Sequence, residues 1–180
     1  MEMIEQLKNS MKNEFEMTDL GILHYFLGME VNYDNGNISL TQHKYAKNLL
    51  KKFNMEGCHE ISTPMEYGLQ LSKNDPSEEI NQNLYRSLVG SLIYLTNTRP
   101  DITFSVNKIS QFMERPKQNH WEAGKRILRY IKGTLNHGIV YSKGSKGKLV
   151  GFSDNDYAGS VDESKSTSGY VFHFGSGAIA

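Results

Sequence analysis

Two kinds of residue in this 180-residue chain are spaced so that they could do chemistry: carboxylates at the end of a strand, and cations along helices. In Gly151-Phe152-Ser153-Asp154-Asn155-Asp156-Tyr157-Ala158-Gly159, Asp154 closes an apolar strand and Asp156 lies two residues on. A carboxylate at a strand end is a normal first ligand for Mg2+. Two-metal phosphoryl chemistry needs several such groups around ions about 4 Å apart. Asp162 and Glu163 lie in the adjoining loop, and no acid follows Glu163. Ser-Asp-Asn-Asp is also good turn chemistry, and spacing alone favours the turn.

The cations are arranged more regularly. At helical pitch, the stretch 119–134 places Trp121, Ala123, Ile127, Leu128 and Ile131 on one side and Lys125, Arg126, Arg129 and Lys132 on the other. Asn119 is placed to cap this helix, with Glu122 three residues on, and Gly133 to supply a left-handed stop. A second basic helix is predicted from Thr41, as cap, to about Met55. Tyr45, Leu49 and Phe53 form its apolar stripe, and Lys44, Lys47, Lys51 and Lys52 its charges. Such faces are commonly just solvated; they can also track a nucleic-acid backbone. If about six of these charges met phosphates, the log–log salt slope of binding would be roughly −5.

Net charge is zero, so this is not a globally basic binder. The balance hides an asymmetry, because Arg115–Lys148 holds nine Lys or Arg against Glu122 alone. Other constellations fail. Cys58 is the only cysteine, which excludes an intrachain disulfide and fits a reducing compartment. Cys58-His59 has no partners in sequence, and no two histidines share i, i+4 spacing. Gly-Ser-Lys-Gly-Lys lacks the pattern of a phosphate loop. No apolar run approaches membrane-spanning length and no signal-peptide core is present. The chain therefore reads as intracellular, without a membrane partner.

These residues need a scaffold. Met3, Ile4, Leu7, Met11 and Phe15 recur at helical spacing. Tyr25–Tyr33 and Ile38–Leu40 flank Asn35-Gly36, a strong hairpin signal, and Gly28 predicts a bulge or a close approach by another backbone. The stretch 57–79 is predicted to be an irregular, mobile connector. Leu84, Leu88, Leu92 and Leu95 make one helix, in which Gly90 predicts a tight crossing. Thr98-Arg99-Pro100-Asp101 separates it from another, carrying Ile102, Val106, Ile109 and Phe112. Gly138–Tyr141 and Lys148–Ser153 are strand-like, joined by a flexible turn. In Ser168–Phe174, Tyr170, Phe172 and Phe174 alternate with Val171 and His173. With no later helix, one face of that sheet is expected to stay uncovered.

Taken in order, DLGILHYFLGMEV, ISLTQHKYAKNLLKKFNM, YRSLVGSLIYL, TRPDITFSV, HWEAGKRILRYIKGT, GFSDNDYAG and KSTSGYVF resemble the copia-type retrotransposon Pol polyprotein over nearly the whole chain. The resemblance implies an α+β chain: 1–40, the end of a reverse transcriptase palm with its primer-grip hairpin; 41–135, a helical thumb and connection; 136–180, the first strands of an incomplete ribonuclease H sheet. It places Leu27, Gly28 and Met29 near a primer terminus. Lys44, Lys47, Lys51, Lys52, Lys125, Arg126, Arg129 and Lys132 would lie on a template–primer duplex, RNA–DNA or DNA. Asp154 becomes the first metal-binding, catalytic carboxylate of ribonuclease H. The family's usual motif is closer to SDADWAG, a departure that leaves Asp154 in place.

The Tyr-x-Asp-Asp loop of the polymerase does not occur in the sequence. The expectation is thus a piece of a Mg2+-dependent enzyme, inactive alone and without a cofactor of its own, with other parts of the polyprotein as possible partners. It would work in the cytoplasm, inside a virus-like particle, or in the nucleus, and would not be secreted. Two alternatives belong to other classes: a degenerate element remnant, or a module whose helices bind protein. A nuclease completed by another chain is a third.

Overall fold

The computed structural model describes residues 2–144, 147–155, 159, 161–162, 164 and 166–179. The chain is mixed α+β: five α-helices, one 3₁₀ turn and two antiparallel sheets among the described residues. Helix α1 (Glu2–Glu14) buries none of its side chains. Strands β1 (Tyr25–Phe26), β2 (Met29–Asp34) and β3 (Asn37–Thr41) form a meander. Each of its turns has two residues, both at positive φ: Leu27 (47°) and Gly28 (78°), then Asn35 (48°) and Gly36 (83°). That geometry matches the right-handed twist of the strands it joins. Asn-Gly was legible as a turn. Leu-Gly at the other was not, because leucine resists positive φ.

Four helices form the body: α2 (His43–Lys52), α3 (Gln82–Leu95), α4 (Thr103–Ser110) and α5 (Gln118–Gly133). Their apolar stripes meet in one core. Leu49, Leu88, Leu92, Val106, Ile109, Ile127, Leu128 and Ile131 are buried there, and the Tyr85 hydroxyl donates to the Ile109 carbonyl at 2.7 Å. Gly90, expected at a tight crossing, has open space around it. The close approach is at Gly124, where an added Cβ would lie 2.7 Å from Leu88 Cδ2.

Arg99 closes the core at the far end. Only 2% exposed, it donates to both Asp101 oxygens (2.9 and 2.7 Å) and to the carbonyl and hydroxyl of Thr134 (3.0 and 2.7 Å). The Tyr130 ring lies against it, and the Tyr130 hydroxyl also donates to Asp101. Burial alone would raise the Asp101 pKa, but these bonds and the Arg99 charge hold the carboxyl below its ordinary range.

The caps differ from expectation. Residue Gln42, not Thr41, precedes α2, and its side chain does not cap the helix. Glu30 of β2 does so from outside, its Oε1 accepting from the Lys44 N–H at 2.8 Å. Helix α5 starts after Lys117 rather than at Asn119; the buried His120 ring accepts from the Lys117 N–H at 3.0 Å. Its Nε2 therefore carries the proton and donates to the Ser72 carbonyl at 3.0 Å. Gly133 ends α5 in ordinary helical geometry, and the left-handed stop does not form.

The strands after α5 part company. Strand β4 (Ile139–Tyr141) pairs with β3, so the first sheet runs β1-β2-β3-β4. Strands β5 (Leu149–Asn155), β6 (Ser168–Phe174) and β7 (Gly177–Ala178) make the second. The register puts Leu149, Tyr170, Phe172 and Phe174 on one face, as the alternation anticipates, and all four are exposed.

Candidate nucleic-acid interface

The eleven cationic and hairpin positions fall into two groups with different surroundings. In the first, Leu27 stands at the β1–β2 tip, 69% exposed, with Gly28 and Met29 beside it. The Tyr94 hydroxyl of α3 donates to the Leu27 carbonyl, and a Cβ on Gly28 would collide with that hydroxyl. The close approach at Gly28 thus comes from a side chain, not another backbone. Tyr94 packs edge-on against Tyr45 of α2, with ring centres 4.7 Å apart, and the Tyr45 hydroxyl donates to the Ser91 carbonyl at 3.0 Å. With the Glu30 cap, this fixes the tip and α2 to each other at two points.

Along α2, Lys44, Lys47, Lys51 and Lys52 are all exposed. Their apolar neighbours Ala46, Leu49 and Leu50 turn inward, which forces the lysines out. Lys52 leans toward α3, its Nζ 3.3 Å from Ser91 Oγ. The ammonium groups of Lys44, Lys47 and Lys51 make no hydrogen bond or ion pair with the described residues. They sit at i, i+3 and i+7, one helical stripe.

The second group is on α5, and there the cations are occupied. Segment 57–79 is irregular, as expected, yet it lies against the helix. Lys132 Nζ donates to the Cys58 carbonyl at 2.6 Å, and Arg129 Nε to the His59 carbonyl at 2.8 Å. Arg126 donates to Glu66 Oε1 at 2.7 Å and to Thr63 Oγ1 at 3.0 Å. Only Lys125 faces its own helix, 3.2 Å from Glu122, with Trp121 under it. A cleft of about 340 Å³ remains between residues 66–71 and α5, lined by Leu69, Leu71, Ala123, Arg126 and Arg129 among others. The two basic helices are neighbours, joined by an edge-on contact of Phe53 with Trp121 at 6.1 Å.

Asp154 lies on β5, exposed, opposite Gly169 of β6. Asp156 and Glu163 lie outside the described residues. Among those described, no three His, Cys, Asp or Glu side chains come together where they could hold a metal ion. Asp162 points elsewhere, accepting from Ser72 Oγ at 2.6 Å and the Lys73 N–H at 2.7 Å.

Sequence reasoning missed Glu30, Tyr94 and His120. Each acts on a segment distant in sequence, so no local pattern announces it.

The tip and helix α2 thus present an exposed leucine and three outward lysines on one connected unit. Residues 1–67 match the family model described as reverse transcriptase (RNA-dependent DNA polymerase). The chain is 41% identical over 167 residues to the retrovirus-related Pol polyprotein from transposon RE1 of Arabidopsis thaliana, covering 93% of this chain and 11% of that protein. It is 40% identical over 187 residues to the Pol polyprotein from transposon TNT 1-94 of Nicotiana tabacum, covering 99% and 14%. An uncharacterised mitochondrial protein of Arabidopsis thaliana is 37% identical over 183 residues, with 99% of this chain and 74% of that protein covered. No solved structure matches. The chain belongs to the family of copia-type retrotransposon Pol polyproteins. It is a reverse-transcriptase-like part of such a protein, spanning 11% to 14% of the length of the Pol polyproteins just named.

Proposed function

We propose that this chain holds a template–primer duplex, RNA–DNA or DNA, by its sugar–phosphate backbone. The observation that carries the reading is the outward stripe of Lys44, Lys47 and Lys51, fixed beside the Leu27–Met29 tip with its exposed Leu27. Lysines in open solvent are strongly hydrated point charges. They attract phosphates by releasing condensed counterions, without reading sequence. In this reading β1–β3 are the end of the palm and α2–α5 the thumb and connection. Residues 136–180, with β4 and the β5–β7 sheet, are in this reading the first strands of ribonuclease H. The strained Leu27 at the tip suits a contact surface near a primer end.

The chain by itself is proposed to carry out neither DNA synthesis nor hybrid cleavage. Both need two Mg2+ ions held by several carboxylates, and Asp154 with its neighbouring loop acids is a short supply. The test of the grip is a salt titration of binding to a labelled duplex of unrelated sequences. Three phosphate contacts give a log–log slope of about −2.7, and six about −5.4. A slope near zero, or binding confined to one sequence, would remove the reading.

A further inference from the structure

Three cations of α5 at positions 126, 129 and 132 form one ridge, one helical turn apart. The chain from Cys58 to Glu66 crosses that ridge antiparallel to the helix: Cys58 meets Lys132, His59 meets Arg129, and Thr63 and Glu66 meet Arg126. Glu60 lies over Gly133 in the same run. Every donor pairing here is with a neutral carbonyl or hydroxyl, except the one carboxylate of Glu66. Phosphate oxygens carry full charge and compete well against carbonyls for guanidinium and ammonium groups.

Apart from Met65, half-buried against the core, the segment has little else to hold it. Between Gly57 and Gly68 no residue is buried, and Tyr67 points fully into solvent. The first fully buried apolar residue is Leu71, and just past the crossing a cleft separates residues 66–71 from α5. The Arg126 Nε is buried with no hydrogen-bond partner among the described residues, so the described strap does not complete the hydrogen bonding of the residue it covers.

We infer that residues 58–66 are a displaceable strap over a second phosphate-binding ridge, Arg126–Arg129–Lys132, which the strap masks until a polyanion displaces it. The inference rests on the duplex-binding reading above and adds its regulation. Bound first through α2, the duplex raises the local phosphate concentration beside α5, the strap lifts, and three further cations join.

The strap can be locked without removing any of these cations. A Cβ on Gly133 would stand 3.4 Å from the Glu60 Cβ, close to the separation a disulfide spans. The variant E60C/G133C, with C58S to leave a single pair, is measured oxidised and reduced. The expected result is a salt slope of about −2.7 when oxidised, returning to about −5.4 on reduction. Duplex should also speed amide exchange across 58–66 in wild type and in the reduced variant, and leave the oxidised form unchanged. A second variant, E66Q, removes the one charged partner and should tighten low-salt binding severalfold. Equal slopes for the oxidised and reduced forms, with exchange indifferent to duplex, would overturn the strap while leaving α2-dependent binding intact. If wild type bound no duplex at all, the duplex-binding reading would fail first and take the strap with it.

Discussion

Helices α2 and α5 carry nearly the same pattern, an apolar stripe backed by four cations, and end in opposite situations. In α2 the ammonium groups of Lys44, Lys47 and Lys51 stand in solvent; in α5 the chain has laid a backbone along the charges and used them as its anchors. The residue types fit the outcome. Arginine offers a planar fan of donors that can serve a carbonyl, a hydroxyl and a carboxylate at once, as Arg126 does for Glu66 and Thr63. Lysine on a flexible stem is more easily left hydrated. A basic stripe in a sequence is therefore not yet a basic surface: whether it faces water depends on what the irregular segments do.

The comparison can be broken most severely from beneath. Replacing Arg99 by Met leaves Asp101 without its partner and frees Thr134 at the end of α5. Removing one member of a buried pair costs about 3–5 kcal/mol, and because the Asp101 side chain is 34% exposed the expected loss is about 2–3 kcal/mol. Denaturant unfolding of R99M should show that loss, and α5 should lose its seat before α2 does. A loss below about 1 kcal/mol would mean that Arg99 does not hold the two helices in one body.

Next in size is the joint between the hairpin tip and α2. In Gly28→Ala the new methyl meets the Tyr94 hydroxyl and the residue keeps a positive φ. A destabilisation of about 1–3 kcal/mol is expected, with duplex affinity reduced alongside it. Unchanged affinity in a folded G28A would separate the tip from the α2 grip.

Single alanine substitutions sharpen the contrast directly. R129A or K132A removes a charged hydrogen bond to the strap, and partial exposure reduces its worth to about 1 kcal/mol. K44A, K47A and K51A remove nothing that holds the fold, and should stay within about 0.5 kcal/mol. Thermal melts of the six single variants, the five above with R126A added to complete the α5 set, should sort them by helix. A common distribution would erase the distinction.

The smallest effect is in pH. Burial among Phe112, Ser72 and Lys117 lowers the His120 pKa below its ordinary 6.5, against the opposing pull of the Ser72 bond and of Asp75. The unfolded chain then binds a proton more readily than the folded one in the window below 6.5. Stability is full above that value and declines as pH falls through the folded pKa. Because His120 joins α5 to Ser72, the decline should appear as loosening of 57–79. H120Q should lower stability overall and flatten the pH dependence below the ordinary histidine value; an equally steep profile would assign it to other groups.

The helices were readable because their apolar residues recur at 3.6; burial of the stripe follows in α2 to α5, while α1 leaves its own exposed. The alternation of Tyr170, Phe172 and Phe174 was readable at period 2, but not that this face would be the exposed one. What could not be read comes from long range. Strand β4 has the right residues for a strand, but nothing in Ile139–Tyr141 states that its neighbour is β3 rather than β5. The caps differ from the expected Thr41 and Asn119: Glu30 reaches α2 from another strand, and His120 caps α5 from three residues inside it while its other nitrogen is held by distant Ser72. Asn119 is instead used by Asp75, accepting at 2.7 Å. Of the proposed interface, the α2 lysines and the tip were visible as residues. That α5 would be covered was not, since 57–79 has no period at all.

The most direct measurement is the salt dependence of duplex binding for the triple variant K44A/K47A/K51A against wild type, with circular dichroism to verify folding. The account predicts a slope shallower by about 2.7 and a loss of affinity that is greatest at low salt. A folded triple variant that keeps the wild-type slope would contradict it, because the outward lysines of α2 would then not be what holds the phosphates.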